Sequence, residues 1–138
     1  MNEPLRLRIT SSLDAIPPAS QTATKWLESR QVAPAGIYLA NLAIEELVSN
    51  CVKYGCDDNL EHHIEIGLSV EGGEMTLEVI DDCHAFNPLE APEPNTNLPV
   101  EHRPLGGLGI QLLRKMSDRM TYERREGRNH VSIIKQIA

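Results

Sequence analysis

Apolar and polar residues alternate along several short stretches, and this period of two predicts β-strands. The first stretch spans residues 5–10, in which leucine and isoleucine alternate with arginine and threonine. Two more lie in "HIEIGLSVEGGEMTLEVID", which predicts a hairpin that turns at Gly72 and Gly73. The closing stretch, "MTYERREGRNHVSIIKQIA", predicts a second hairpin that turns near Gly127.

Three other stretches have helical patterns. Residues 20–32 predict a helix that carries the single tryptophan, Trp26. Residues 34–54 predict a longer helix, with Pro34 in the favoured first turn and Gly55 as its C-terminal stop. A third helix follows the glycines of "RPLGGLGIQLLRK" and runs to about Asp118.

The order β-α-α-β-β-loop-α-β-β predicts an α+β fold. We expect a two-layer sandwich, with a mixed, mainly antiparallel sheet and helices on one face. Residues 1–138 are enough for one ordinary domain with its own core. The loop at about residues 88–105 holds five of the nine prolines and no periodicity. A loop of that length in a compact domain is usually functional.

Composition excludes some classes of function. The net charge of −7 argues against a direct nucleic-acid or membrane-surface binder, whose binding face is basic. No apolar stretch approaches the roughly 20 residues of a membrane span. The three cysteines lack a CxxC spacing, so we expect no disulfide framework and a cytoplasmic protein.

The glycines at the start of the third helix predict that a ligand contacts backbone N–H groups there. Each glycine inside a helix costs roughly 0.5–1 kcal/mol relative to alanine, so a run of them needs a reason. Gly106, Gly107 and Gly109 leave N–H groups unshielded where a helix begins, and such a site suits phosphates. The spacing matches neither a P-loop nor a Rossmann turn. A flexible turn is the simpler alternative.

Two polar residues of the long helix stand one turn apart on one face. Glu46 and Asn50 lie opposite the apolar half of this helix, while Glu45 points elsewhere. An amide oxygen suits Mg²⁺, and a carboxylate can accept a proton from an attacking hydroxyl. Both roles belong to phosphoryl transfer. The alternative is an ordinary solvated polar face.

Asp81 directly follows the apolar strand "LEVI". A carboxylate fixed at a rigid strand end can accept a hydrogen bond from a ligand's amino group. A solvated strand terminus is the alternative, and this segment alone does not decide between them.

The three segments in this order resemble a known family. "EELVSNCVKYG", "VIDDCHAFNP" and "RPLGGLGIQLLRKMSDRMTYERREGRNHVSIIK" resemble the N, G1 and G2 boxes of the Bergerat-fold, histidine-kinase-like ATPases. The resemblance covers nearly the whole chain and is closest to bacterial anti-sigma-factor serine/threonine kinases. Histidine kinases and topoisomerases need further domains, for which 138 residues leave no room.

The resemblance implies roles for individual residues. Glu46 would be the catalytic carboxylate, Asn50 the Mg²⁺ ligand and Asp81 the group that reads the adenine amino group. The loop at about 88–105 would be a lid over ATP. The nucleotide's phosphates would be contacted by the glycine-rich segment Gly106, Gly107, Leu108 and Gly109. Lys53 and Arg103 are further phosphate candidates, on their charge and position only.

One position departs from the family pattern. The G1 box has Asp-x-Gly, and here Cys83 replaces the glycine. A side chain there would crowd the adenine and lower nucleotide affinity.

The sequence therefore predicts a Mg-ATP-dependent kinase that phosphorylates a serine or threonine of a small anti-sigma antagonist protein. By resemblance it would also bind a sigma factor and form a homodimer. The alternatives are a non-catalytic ATP-binding switch and a weak ATPase without a protein substrate.

Overall fold

Five strands form one sheet in the computed structural model, which describes residues 3–55, 61–90 and 107–137. The strands are β1 (Leu5–Thr10), β2 (His63–Glu71), β3 (Glu74–Asp81), β4 (Arg119–Arg125) and β5 (Arg128–Gln136). They lie in the order β1-β2-β3-β5-β4, and every pairing between these described strands is antiparallel. The predicted α+β fold with a mainly antiparallel sheet is confirmed.

Both predicted hairpins are present, and their turns have the backbone twist that suits paired strands. Gly72 and Gly73 have φ angles of 58° and 76°, and Glu126 and Gly127 have 54° and 75°. Positive φ at both central residues is typical of the type I′ turn, whose twist matches the flanking strands. These local signals are why the hairpins were predictable.

In the described part of the chain, three α-helices accompany the sheet: α1 (Ile16–Ser29), α2 (Pro34–Asn50) and α3 (Gly107–Met116). α1 begins earlier than the predicted residue 20. The reason is that its prolines lie in the first turn, where the N–H groups have no intrahelical partner. α1 also ends before residue 32, and Gln31 beyond it takes a positive φ of 62°.

The last turn of the long helix is wider than an α-helical turn. After α2 the chain continues as a π-helix, Cys51–Gly55, so the predicted end at residue 54 is nearly right. Single π-helical turns in or beside α-helices are frequent at functional sites.

One aliphatic core joins the inward faces of the sheet and the helices. Alternate residues of β3, Met75, Leu77 and Val79, are buried, and Asp81 continues the same inward series. Among the described residues, Asn50 and Asn129 are the buried polar ones. No described helix is both long and apolar enough to cross a membrane.

Candidate functional site

A narrow cleft opens between the end of α2 and the neighbouring ends of β3 and β5. It encloses about 380 Å³ of empty space, its open mouth included. Residues from all of these elements and from the short 3₁₀ helix Pro88–Glu90 line it: Leu47, Asn50, Cys51, Val79, Asp81, His84, Phe86, Pro88, Asn129 and Val131. The fold thus brings two predicted site residues, Asn50 and Asp81, to one cavity.

Asn50 is not part of a solvated helix face. Its side chain lines the cleft and is only 6% exposed. Within the described part of the chain, no hydrogen bond to its side-chain amide is present. Because buried polar groups are nearly always hydrogen-bonded, an amide in this position is suited to a ligand.

Glu46 lies one turn before Asn50 and contacts the first turn of α3. A methyl group added at Gly109 would overlap the Glu46 carboxylate, so only glycine leaves room for it. Glu46 itself is absent from the cleft lining. The carboxylate therefore sits between α2 and the N-terminal turn of α3, beside the cleft.

The electrostatics of Glu46 suit proton transfer. Partial burial raises the pKa of Glu46 above its ordinary value of 4.5, and the negative charge of Glu45 adds to that rise. The positive charge of Lys53 opposes it. Lys53 is exposed in the π-helical turn and does not line the cleft. A carboxylate with a raised pKa is a better proton acceptor near neutral pH.

Asp81 is held in place by donors around it. Its Oδ1 accepts hydrogen bonds from the Asn129 Nδ2, at 2.8 Å, and from the Cys83 N–H, at 3.0 Å. The thiol of Cys51 also hydrogen-bonds to this carboxylate. Asp81 is therefore a fixed group in the cleft wall and not a freely solvated strand end.

Cys83 does not line the cleft, but its Sγ lies within 4.8 Å of the Asp81 carboxylate and the Cys51 thiol, which do. The crowding of the adenine that the missing glycine implies stays a prediction. Cys83 is 2% exposed, and its Sγ lies 3.3 Å from the Sγ of Cys51. Positive φ occurs at only two non-glycine residues in the described part of the chain, and Cys83 is not one of them. The turn after β3 therefore does not need a glycine here.

The sulfur and the carbonyl of Cys83 are both engaged. Cys83 is disulfide-bonded, though not to Cys51, which remains a thiol, and the cysteine spacing did not predict this bond. Its carbonyl oxygen accepts a hydrogen bond of 2.7 Å from the Arg124 Nη1 in β4. Burial raises the pKa of the neighbouring Cys51 thiol far above its ordinary value, so that thiol stays protonated.

Asn129 is a site residue for which the sequence predicted no role. It stands opposite Asp81 in the β3–β5 register, is 3% exposed, and donates hydrogen bonds to the Asp81 carboxylate and to the His84 carbonyl oxygen. The sequence could have predicted its burial, because Asn129, Val131 and Ile133 are alternate residues of β5 and therefore share its inward face. A polar residue in that phase must find polar partners.

The remaining predicted contacts fall partly outside the described residues. Gly107, Leu108 and Gly109 form the first turn of α3, as predicted for a helix start. Gly106 and residues 91–105 of the predicted lid, Arg103 among them, lie outside the described ranges. Pro88, where that loop begins, lines the cleft.

Comparison with known proteins identifies a family model. Residues 9–135 match the model of the histidine kinase-like ATPase domain. A curated relative, the serine/threonine-protein kinase BtrW of Bordetella bronchiseptica, is 25% identical over 101 residues. That match covers 73% of this chain and 71% of the relative.

A solved structure has a similar fold. It contains the RsbU and RsbW domains of Rv1364c from Mycobacterium tuberculosis and superposes with a TM-score of 0.70 at 16% identity. The match covers 98% of this chain but only 32% of that longer one. At this identity the likeness concerns the fold alone.

Proposed function

This chain belongs to the histidine kinase-like ATPase domain family, and on that premise we propose that it is an ATP-dependent serine/threonine kinase. Its substrate would be a small anti-sigma antagonist protein. The observation that carries the proposal is one arrangement: Asn50 and Asp81 line a single cleft, and Glu46 lies beside it against α3. The similarity to a protein named as a serine/threonine kinase supports it.

Asp81 would recognise the base of the nucleotide. Its carboxylate is an acceptor, so it favours a ligand that presents an amino group, as adenine does. The cleft around it also offers apolar walls from Val79, Phe86 and Val131. A mostly apolar cleft with few fixed polar groups is typical of small-molecule sites.

Asn50 and the first turn of α3 would hold the phosphate end. Mg²⁺ prefers hard oxygen ligands, and the Asn50 amide oxygen is one that no described residue occupies. The residues present therefore fit this ion, which when bound neutralises charge on the phosphates. The N–H groups at the start of α3, around Gly107 and Gly109, suit the phosphate oxygens.

Glu46 would act as the general base. It accepts the proton of the target serine or threonine hydroxyl while that oxygen bonds to the γ-phosphorus and the bond to ADP breaks. The raised pKa of Glu46 strengthens it as a proton acceptor.

A second candidate function is a non-catalytic ATP-binding switch. One observation favours it: the Glu46 carboxylate packs against Gly109 and does not line the cleft. Weak ATP hydrolysis without a protein substrate is a third. In all three, the partners we expect are an antagonist protein, a sigma factor and a second copy of this chain, in the cytoplasm.

The experiment is transfer of radiolabelled phosphate from ATP to a candidate antagonist protein. Wild type is compared with Glu46→Gln and with Glu28→Gln, a matched control, because Glu28 is exposed on α1 and is not one of the charges that shift the Glu46 pKa. We expect transfer by wild type and the control and none by Glu46→Gln. Equal transfer by all three would mean that Glu46 is not the base. ATP binding without any transfer would favour the switch.

A further inference from the structure

We propose that Asn129 is a positioning residue that sets the selectivity of the cleft for adenine, by fixing the carboxylate of Asp81. The inference rests on the proposed function only in taking the ligand of the cleft to be ATP. Asn129 lies on β5, directly opposite Asp81 on β3, and is almost fully buried.

The side-chain amide of Asn129 is fully used by the protein. Its Nδ2 donates to the Asp81 Oδ1, at 2.8 Å, and to the His84 carbonyl oxygen, at 2.9 Å. Its Oδ1 accepts from the Tyr122 hydroxyl, at 2.6 Å, and from the Phe86 N–H, at 3.4 Å.

This saturation excludes a direct role toward the ligand. An asparagine amide has two donor hydrogens and an oxygen with two acceptor sites, and all four are occupied here. The partners also fix which end is which, since a carboxylate and a carbonyl must face the NH₂ group. Asn129 therefore acts on a ligand only through Asp81 and through the turn that contains His84 and Phe86.

The effect on Asp81 follows from its lone pairs. Oδ1 already accepts from Asn129 and from the Cys83 N–H, so its two acceptor sites are taken. An incoming amino group must therefore be accepted by Oδ2, and the Cys51 thiol, which also hydrogen-bonds to this carboxylate, is only a weak competing donor. Asn129 thereby determines which carboxylate oxygen faces the base.

The testing variant is Asn129→Asp, which has nearly the same shape. It keeps an acceptor for Tyr122 and Phe86 but replaces the donor that faces Asp81 with a second carboxylate. At pH 7.5 we expect the affinity for ATP to fall roughly ten- to a hundredfold, the scale of a lost charge-assisted hydrogen bond. Purine riboside triphosphate, which lacks the 6-amino group, should bind to both proteins equally.

The pH dependence provides a readout that a loss of packing would not give. Two carboxylates at this separation share one proton, so lowering the pH toward 5 should restore a donor and recover ATP affinity in the variant. The titratable and charged neighbours of the pair include Cys51, Asp82, His84, Tyr122 and Arg124. Wild type and variant both contain these neighbours, so their titration affects both proteins. Only a recovery of ATP affinity that occurs in the variant and not in wild type supports the inference.

A second variant decides the matter if Asn129→Asp does not fold. Tyr122→Phe removes the hydroxyl that holds the Asn129 Oδ1, and it should weaken ATP binding several-fold while leaving purine riboside triphosphate unchanged. Tyr38→Phe is the matched control, because Tyr38 is an exposed tyrosine on α2 outside the cleft. It should change neither affinity.

The outcomes separate this inference from the proposed function. Calorimetry on wild type comes first, and absence of ATP binding there would overturn the ligand itself. If wild type prefers ATP, but Asn129→Asp weakens both nucleotides equally and shows no recovery at low pH, Asn129 is only a structural residue. If Asn129→Asp folds and still prefers ATP over purine riboside triphosphate as strongly as wild type does, the inference is wrong. If Asn129→Asp does not fold, the same result in Tyr122→Phe overturns it.

Discussion

Gly109, in the first turn of α3, lies directly against the carboxylate of Glu46 on α2. The contact leaves no space for a β-carbon at residue 109. The glycine that the sequence assigned to a phosphate contact thus also has a neighbour within the protein. The same contact ties the proposed base to the helix start at which the phosphates are expected.

Gly109→Ala should separate fold from function. The added methyl must displace the Glu46 carboxylate, which is the flexible end of a side chain, so the fold can adapt. Alanine also favours a helix by up to about 1 kcal/mol over glycine. We expect unfolding in urea to change by less than about 1 kcal/mol. Phosphoryl transfer should fall about a hundredfold, as expected for a catalytic group displaced by about 1 Å.

The control for that variant is Gly67→Ala. Gly67 lies in the middle of β2, where a β-carbon would meet only the Arg6 Nη1 at an ordinary 3.8 Å. Transfer should stay at the wild-type rate. A Gly109→Ala protein that transfers phosphate normally would show that the position of the Glu46 carboxylate does not matter for the reaction.

Glu46→Gln should stabilise the protein at neutral pH. Partial burial raises the pKa of Glu46 in the folded state above its ordinary value of 4.5. Between pH 4.5 and that raised pKa, the folded protein therefore binds more protons than the unfolded chain. Wild-type stability therefore falls as the pH rises through this window, and an uncharged glutamine avoids that loss. Thermal unfolding should give a higher Tm for Glu46→Gln at pH 7 and no advantage below pH 4.5. The opposite order would mean that the ionised carboxylate stabilises the fold.

Asn50→Ala should weaken nucleotide binding only when Mg²⁺ is present. The buried amide has no hydrogen-bond partner among the described residues, so its removal costs the fold little. We expect ATP affinity to fall roughly ten- to a hundredfold in Mg²⁺ and to match wild type in EDTA, measured by calorimetry. An equal loss in both conditions would assign Asn50 to the nucleotide itself.

The hairpins and helices were predictable because their signals are local. The Gly72-Gly73 turn and Pro34 each specify backbone geometry within a few residues. The site depends on partners distant in sequence, and there the prediction was incomplete. A helical wheel places Asn50 on a polar face, but it does not show that the ends of β3 and β5 cover that face.

Two residues show why the rest of the site was missed. The sequence predicts that Cys83 crowds the base, because the motif has glycine there. In the structure the Cys83 side chain is buried against Cys51 and does not line the cleft. The alternation of β5 could have predicted that Asn129 is buried, but its four partners come from β3, from β4 and from the turn after β3. Pairings of that kind are set by the tertiary fold.

Arg124→Met should loosen the turn after β3. The Arg124 Nη1 donates to the carbonyl of Cys83, and methionine keeps much of the apolar stem while losing that bond. We expect a loss of about 1 kcal/mol in unfolding free energy and faster hydrogen exchange at Phe86, with ATP affinity reduced several-fold. Arg125→Met is the matched control, since the exposed Arg125 pairs with Glu123 away from this turn. If both variants exchange at the same rate at Phe86, the arginine bond does not hold the turn.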